Sequence, residues 1–137
     1  MGISVSIKGL SQELVLNDYK IINYKFSYQN KSSRYAKAND NDICLELTGN
    51  IMKIAQDNYK DMELIRQWMK EEYADDDFYK RIKLVDFYGS KTIRNIILSK
   101  AFVKDYYEKI DSHSSMGLFV MKLVQKEDQL EGIKVFT

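Results

Sequence analysis

Proline is missing from the 137 residues, cysteine, histidine and tryptophan occur once each, and glycine occurs six times. Average usage would supply about seven prolines in a chain of this length. The turns must therefore be made by Gly, Asn, Asp and Ser. The single Cys44 excludes an internal disulfide and any multi-cysteine metal site. It lies in DICLEL, where it alternates with Ile43, Leu45 and Leu47, so it is read as a structural thiol on the opposite side of a strand from them.

The one imidazole, His113, sits in the serine-rich stretch DSHSSMG (Asp111 to Gly117). A serine next to a histidine is not a nucleophile–base pair, because the members of a triad come from separated segments and need an orienting acid and an oxyanion hole. The stretch reads as a hydrogen-bonded hairpin turn. There is no GxxxxGK[ST], GxGxxG or HExxH, so phosphate-cradle, dinucleotide and zinc-protease chemistry lack their usual carriers.

Neither charge sign is in excess: 21 Lys and Arg face 20 Asp and Glu, for a net charge of +1, which gives no global field for nucleic acid. No apolar run approaches the length of a membrane span; GLFVM at Gly117 to Met121 is among the longest. MGISVSIKGL at the start lacks a basic region followed by an apolar one. The expectation is a protein made and folded in the cytoplasm, leaving only by a route that needs no signal. With 45% apolar and 30% charged residues, the chain has the composition of one globular domain spanning 1–137.

What is present is alternation. Ile3, Val5 and Ile7 give a first strand, Leu14 and Leu16 a second, and Tyr24, Phe26 and Tyr28 a longer one with a polar opposite face. Ile43 to Leu47 alternates again, and Gly49-Asn50 bends the chain before IMKIA, read as the continuation or end of that strand. The period then changes. Met62, Ile65 and Met69, with Leu64 and Trp68 alongside, predict an amphipathic helix over Asn58 to Tyr73, with Asn58 or Asp61 as N-cap, ADDD (Ala74 to Asp77) as its exit and Trp68 as a core anchor. Strands resume in RIKLVDFYGSKTIRNIIL, divided by Gly89-Ser90 as a two-residue hairpin, with Ile93 to Leu98 covered on both faces. AFVKDYYEKID extends or follows this strand after a break at Ser99-Lys100. The strand through Phe119, Met121 and Leu123 and a last one at Gly132 to Phe136 complete the pattern. The fold class is mainly β: an antiparallel barrel or sandwich of about eight or nine strands, one packed α-helix and a long extended loop.

That loop, NKSSRYAKANDND from Asn30 to Asp42, is longer than a hairpin needs. Three uses are open for it: a slack connection, a nucleic-acid arm carrying Lys31, Arg34, Tyr35 and Lys37, or a strut to another subunit. The acids Glu71, Glu72 and Asp75 to Asp77 read as a solvated helix end rather than a cation site or a glycosidase pair. The ten tyrosines fall mostly at strand positions, where half-buried Tyr is ordinary packing.

The segments YKFSYQ, NKSSRYAKANDND, DICLEL, DMELIRQWM and KLVDFYGSKTIRNIILSKAFVKDYYEKIDSHSSMGLFVMKL follow in that order. This order resembles the Hcp family, the tube proteins of type VI secretion systems, related to the tube proteins of contractile phage tails and other contractile injection systems. AFVKDYYEKIDS, followed by a polar turn, Met116 and another strand, is the nearest local match, and the likeness covers most of the chain. The resemblance implies a non-enzymatic structural protomer: six copies form a ring, rings stack into a tube propelled by a sheath, and effectors travel through or on it. It implies no cofactor and no metal, and as partners the chain itself, sheath, baseplate and tip proteins and effectors, with no nucleic acid and no membrane insertion. The protein would be cytoplasmic before assembly and ejected or secreted with the tube. Lys31, Arg34, Tyr35, Lys37 and Asn39 of the extended loop would contact a neighbouring subunit. The alternative is a small β-sandwich enzyme or carbohydrate-binding domain, resting on the tyrosines and clustered acids. An RNA-binding barrel is a third, opposed by the near-neutral charge.

Overall fold

A computed structural model describes residues 2–30, 41–71, 79–114, 116–125 and 133–136. They form β1 (Gly2–Lys8), β2 (Leu14–Leu16), β3 (Ile21–Asn30), β4 (Asn41–Asn50), α1 (Ile51–Met69), β5 (Lys80–Tyr88), β6 (Lys91–Asp111), β7 (Met116–Gln125) and β8 (Ile133–Phe136). Every strand pairing is antiparallel. The path runs β2-β1-β5-β6-β7-β4-β3, and β8 joins β6 off this path. Among the described strands the path does not close on itself, an arrangement consistent with an open barrel or a sandwich.

Strand β6 makes this architecture possible. Its first half pairs with β5, its second half with β7, and Ala101 is the hand-over residue, opposite both Lys80 and Gln125. Ser99-Lys100 is therefore not a break; the strand runs through it while changing partners. The Gln125 side chain fixes the change: its amide donates to Ser99 Oγ at 2.9 Å and its Oε1 accepts from the Lys100 backbone N–H at 3.1 Å. The Gly89-Ser90 hairpin forms as expected, with Tyr88 opposite Lys91. Gly89 has φ +61°, the positive angle that a type II′ turn demands at its first central position.

The alternating residues build the core. Val5, Ile7, Leu45, Leu47, Ile82, Leu84, Ile96, Leu98, Met121 and Leu123 are buried in one apolar cluster, each contributing about 1.5–3 kcal/mol relative to exposure. Cys44 is also buried, on the face of β4 opposite Leu45. Ile93 departs from the expected two-sided cover: it is exposed, whereas Ile96 and Leu98 are buried, and β8 flanks only Asn95 to Leu98.

The helix is longer at its start than the spacing predicts. It begins at Ile51, so IMKIA is its first turn and not strand. Asn50 is the N-cap: its side-chain oxygen accepts from the Lys53 N–H at 3.1 Å, and Ile51 and Ile54, three residues apart, already face the core. Asn58, expected at the N-terminus, instead interrupts the helix with extended φ/ψ and restarts it, its side chain accepting from the Lys60 N–H. The helix ends at Met69 with Lys70 as C-cap, short of the predicted Tyr73; Ala74 to Asp77 lie outside the described residues. Trp68 is fully buried, as an anchor should be.

Candidate functional site

The five loop residues singled out from the sequence, Lys31, Arg34, Tyr35, Lys37 and Asn39, lie outside the described residues, as do Glu72 and Asp75 to Asp77. What is described is the base that carries the loop. β3 and β4 pair without interruption from Asn23/Thr48 to Asn30/Asn41, so residues 31–40 leave and re-enter one hairpin. β3 is also the last strand of the path, with its second edge unpaired by any described strand, and the three-residue β2 ends the path at the other side.

The faces of this part of the sheet differ. One carries Leu45, Leu47, Met121 and Leu123 into the core. On the other, register places Lys25 opposite Glu46, Glu46 opposite Lys122 and Lys122 opposite Asp105, a row of alternating charge across four strands. Opposite charges directly across a ladder are favourable pairs, and the row sums to zero. Lys25 and Asp105 are exposed, and Glu46 and Lys122 half-buried. Lys83 is exposed on β5, opposite Ser6 and Ile97, beside Lys8, Arg81 and Glu13.

Sequence reasoning missed the buried polar residues Lys20, Lys80 and Asp86 and the polar contacts that tie the helix to the sheet. Asp86 is 7% exposed, and its Oδ2 accepts from the Tyr24 hydroxyl at 2.7 Å. Burial, and then the hydrogen bond to Asp86, push the Tyr24 phenol up to about 12. Lys80, also buried, has Glu71 at 2.9 Å. The buried Lys20 pairs with Asp57 on α1, and that ion pair holds the Asp57 carboxyl below the usual range. Further along the helix Arg66 donates Nε and Nη2 to the two oxygens of Glu108, both at 3.0 Å, and the Tyr106 hydroxyl adds a third donor at 2.7 Å. The guanidinium holds Glu108 below the ordinary carboxylate range, while burial and the bond to Glu108 raise Tyr106. A signal for two of these was present: Lys80 and Asp86 are in phase with Ile82 and Leu84 along β5, polar residues in the inward stripe.

None of this is an acid–base or nucleophilic constellation. The backbone N–H of His113 donates to Asp111 Oδ1 at 2.9 Å, making the turn that joins β6 to β7, and that bond lowers the Asp111 pKa. Among the described residues no group of three or more His, Cys, Asp and Glu is arranged to hold a metal ion, and no helix is long and apolar enough to cross a membrane.

This fold, an open antiparallel sheet with a long β6 that changes partners and one helix after β4, is similar to that of solved Hcp1 and contractile injection system structures. Hcp1 from Flavobacterium johnsoniae superposes with TM-score 0.56 at 12% identity, over 91% of this chain and 90% of that one. Hcp1 from Salmonella typhimurium gives TM-score 0.54 at 9% identity over 90% and 81%. A chain of the PVC extracellular contractile injection system, in its extended sheath–tube complex, gives 0.54 at 10% identity over 98% and 88%. No protein-family profile matches this chain, and no curated protein is detectably similar to it in sequence. The likeness is carried by the fold.

Proposed function

We propose that this chain is a structural, non-catalytic tube protomer of a type VI secretion or related contractile injection system. Six copies form a ring, rings stack into a tube, and effectors are delivered through or on it. Its partners are its own copies, the sheath, baseplate and tip proteins, and effectors; it is cytoplasmic before assembly and ejected with the tube. The observation that carries the reading is the likeness of fold over nine-tenths or more of the chain to Hcp1 structures and to a sheath–tube component.

Two features of the molecule support it. Among the described strands β2 and β3 end the path with edges that no other described strand pairs, and backbone groups at such edges are satisfied when another chain pairs with them. The row of Lys25, Glu46, Lys122 and Asp105 is charged yet electroneutral, suited to water or a lumen. The extended loop, with Lys31, Arg34, Tyr35, Lys37 and Asn39, is the strut to a neighbouring subunit.

Deleting Ser32 to Asn39 tests the strut. The shortened protein should keep its circular dichroism and melting temperature while losing ring or stack formation in negative-stain images. Assembly as complete as that of the intact chain would refute the strut.

A further inference from the structure

The two halves of the sheet arrange their outward charges differently. Across β3, β4, β7 and β6, register sets an acid beside each lysine of the row Lys25, Glu46, Lys122 and Asp105. Across β1 and β5 it sets cation against cation. Lys8 stands directly opposite Arg81, and Lys83, two residues on from Arg81, stands opposite Ser6. All three cations are exposed, in phase with one another and out of phase with the buried Ile7, Ile82 and Leu84.

Like charges directly across a ladder repel and cost stability. Ser6, Lys8, Glu13, Arg81 and Lys83 together line a recess of about 190 Å3, three cations and one carboxylate in a chain whose total charge is only +1. Glu13 does not neutralise its neighbours. Among the described residues none of Lys8, Arg81 and Lys83 forms an ion pair with it or with any other acid. The buried lysines are matched: Lys20 has Asp57, and Lys80, adjacent to Arg81 but on the inner face, has Glu71.

The missing component is therefore anionic, and the ladder sets its spacing. Side chains directly across a strand pair start ~4.5–5.5 Å apart, and alternate positions along one strand ~6.8 Å apart. One anion fits between Lys8 and Arg81, where the planar guanidinium can hold two oxygens, and a second reaches Lys83 with the Ser6 hydroxyl as a further donor. Carboxylates at alternate positions of an extended peptide repeat at the same ~6.8 Å. A single strand of nucleic acid fits less well, because among the described residues no aromatic side chain lines the recess for a base to stack on.

We propose that this recess on the β1–β5 face docks an acidic segment of a protein partner, with one partner carboxylate between Lys8 and Arg81 and a second at Lys83 and Ser6. Glu13 is a built-in competitor for the same cations. Neither ring formation nor its absence bears on this site.

The test titrates hexaglutamate into the full-length protein at low salt, followed by NMR shifts and calorimetry. Shifts should centre on Ser6, Lys8, Arg81 and Lys83, and binding should weaken as salt is added. Arg81→Gln combined with Lys83→Gln, both at exposed positions, should lower the affinity by at least roughly tenfold without moving the melting temperature. Lys25→Gln should leave it unchanged, and Glu13→Gln should raise it roughly two- to fivefold. No binding, shifts centred elsewhere, or equal affinity for the double variant overturns the proposal. Inorganic phosphate or oligothymidylate binding the same residues as tightly as hexaglutamate overturns the acidic peptide as the ligand. A variant with Asp75, Asp76 and Asp77 all changed to Asn separates the chain's own acids from a partner's: unchanged affinity supports the proposal, and binding at least tenfold tighter would show that those acids already fill the recess and would overturn it.

Discussion

The Tyr24 hydroxyl donates to Asp86 Oδ2 at 2.7 Å, tying β3, the last strand of the path, to β5 across a gap that no pairing among the described strands closes. Tyr24→Phe leaves the buried carboxylate without its donor and should cost about 1–3 kcal/mol in urea unfolding. The folded-state pKa of Tyr24 is about 12 against an ordinary 10. A raised pKa means that its contribution to stability is complete below pH 10 and lost as the pH climbs towards 12. Wild type should therefore lose stability over that window more steeply than Tyr24→Phe, and parallel unfolding curves from pH 9 to 12 would refute the linkage.

Glu108 accepts two hydrogen bonds from Arg66 and one from Tyr106, joining α1 to β6. Both partners of the ion pair touch solvent, with Arg66 47% and Glu108 22% exposed at the side chain, so Glu108→Gln should cost only about 0.5–1 kcal/mol at neutral pH. The depressed Glu108 pKa places that contribution above the ordinary carboxylate range and removes it as the pH falls through the lowered value. Thermal melts at pH 7 and pH 3 should show the gap between variant and wild type narrowing in acid. A gap that is constant or widens would contradict the clamp.

Gly49 lies opposite Phe119, and a Cβ added there would stand 2.1 Å from the ring. Phe119 is fully buried and stacked on Tyr106, with ring centres 5.9 Å apart, so the ring has little room to retreat. Gly49→Ala should destabilise the protein by about 1–3 kcal/mol through overpacking, read by urea midpoint. An unchanged midpoint would show that the ring moves freely.

Strands were legible where one face was buried, because period-two alternation and burial coincide: Val5 and Ile7, Leu14 and Leu16, Leu45 and Leu47 all face the core as their spacing predicts. Reading IMKIA as strand failed because Ile51 and Ile54 begin a helix whose cap, Asn50, is also the last residue of β4, leaving no loop to announce the change. The kink at Asn58 then made the second half of the helix look like the whole. Ser99-Lys100 misled for a related reason. Its polarity reflects a change of partner strand at Gln125, a tertiary event with no local period. The Tyr24–Asp86 contact spans 62 residues, and alternation places both groups inward without revealing that they meet. The loop residues Lys31, Arg34, Tyr35, Lys37 and Asn39 were legible as a polar, basic insertion, and they lie outside the described residues.

The account stands on ring formation. Negative-stain imaging of the purified chain, with solution mass measured over rising concentration, is the direct test. Rings of six-fold symmetry, or stacks of them, at a mass six times that of the protomer or a multiple of it, are the expected result. A particle that stays monomeric, without rings at the highest concentration reached, would contradict the account.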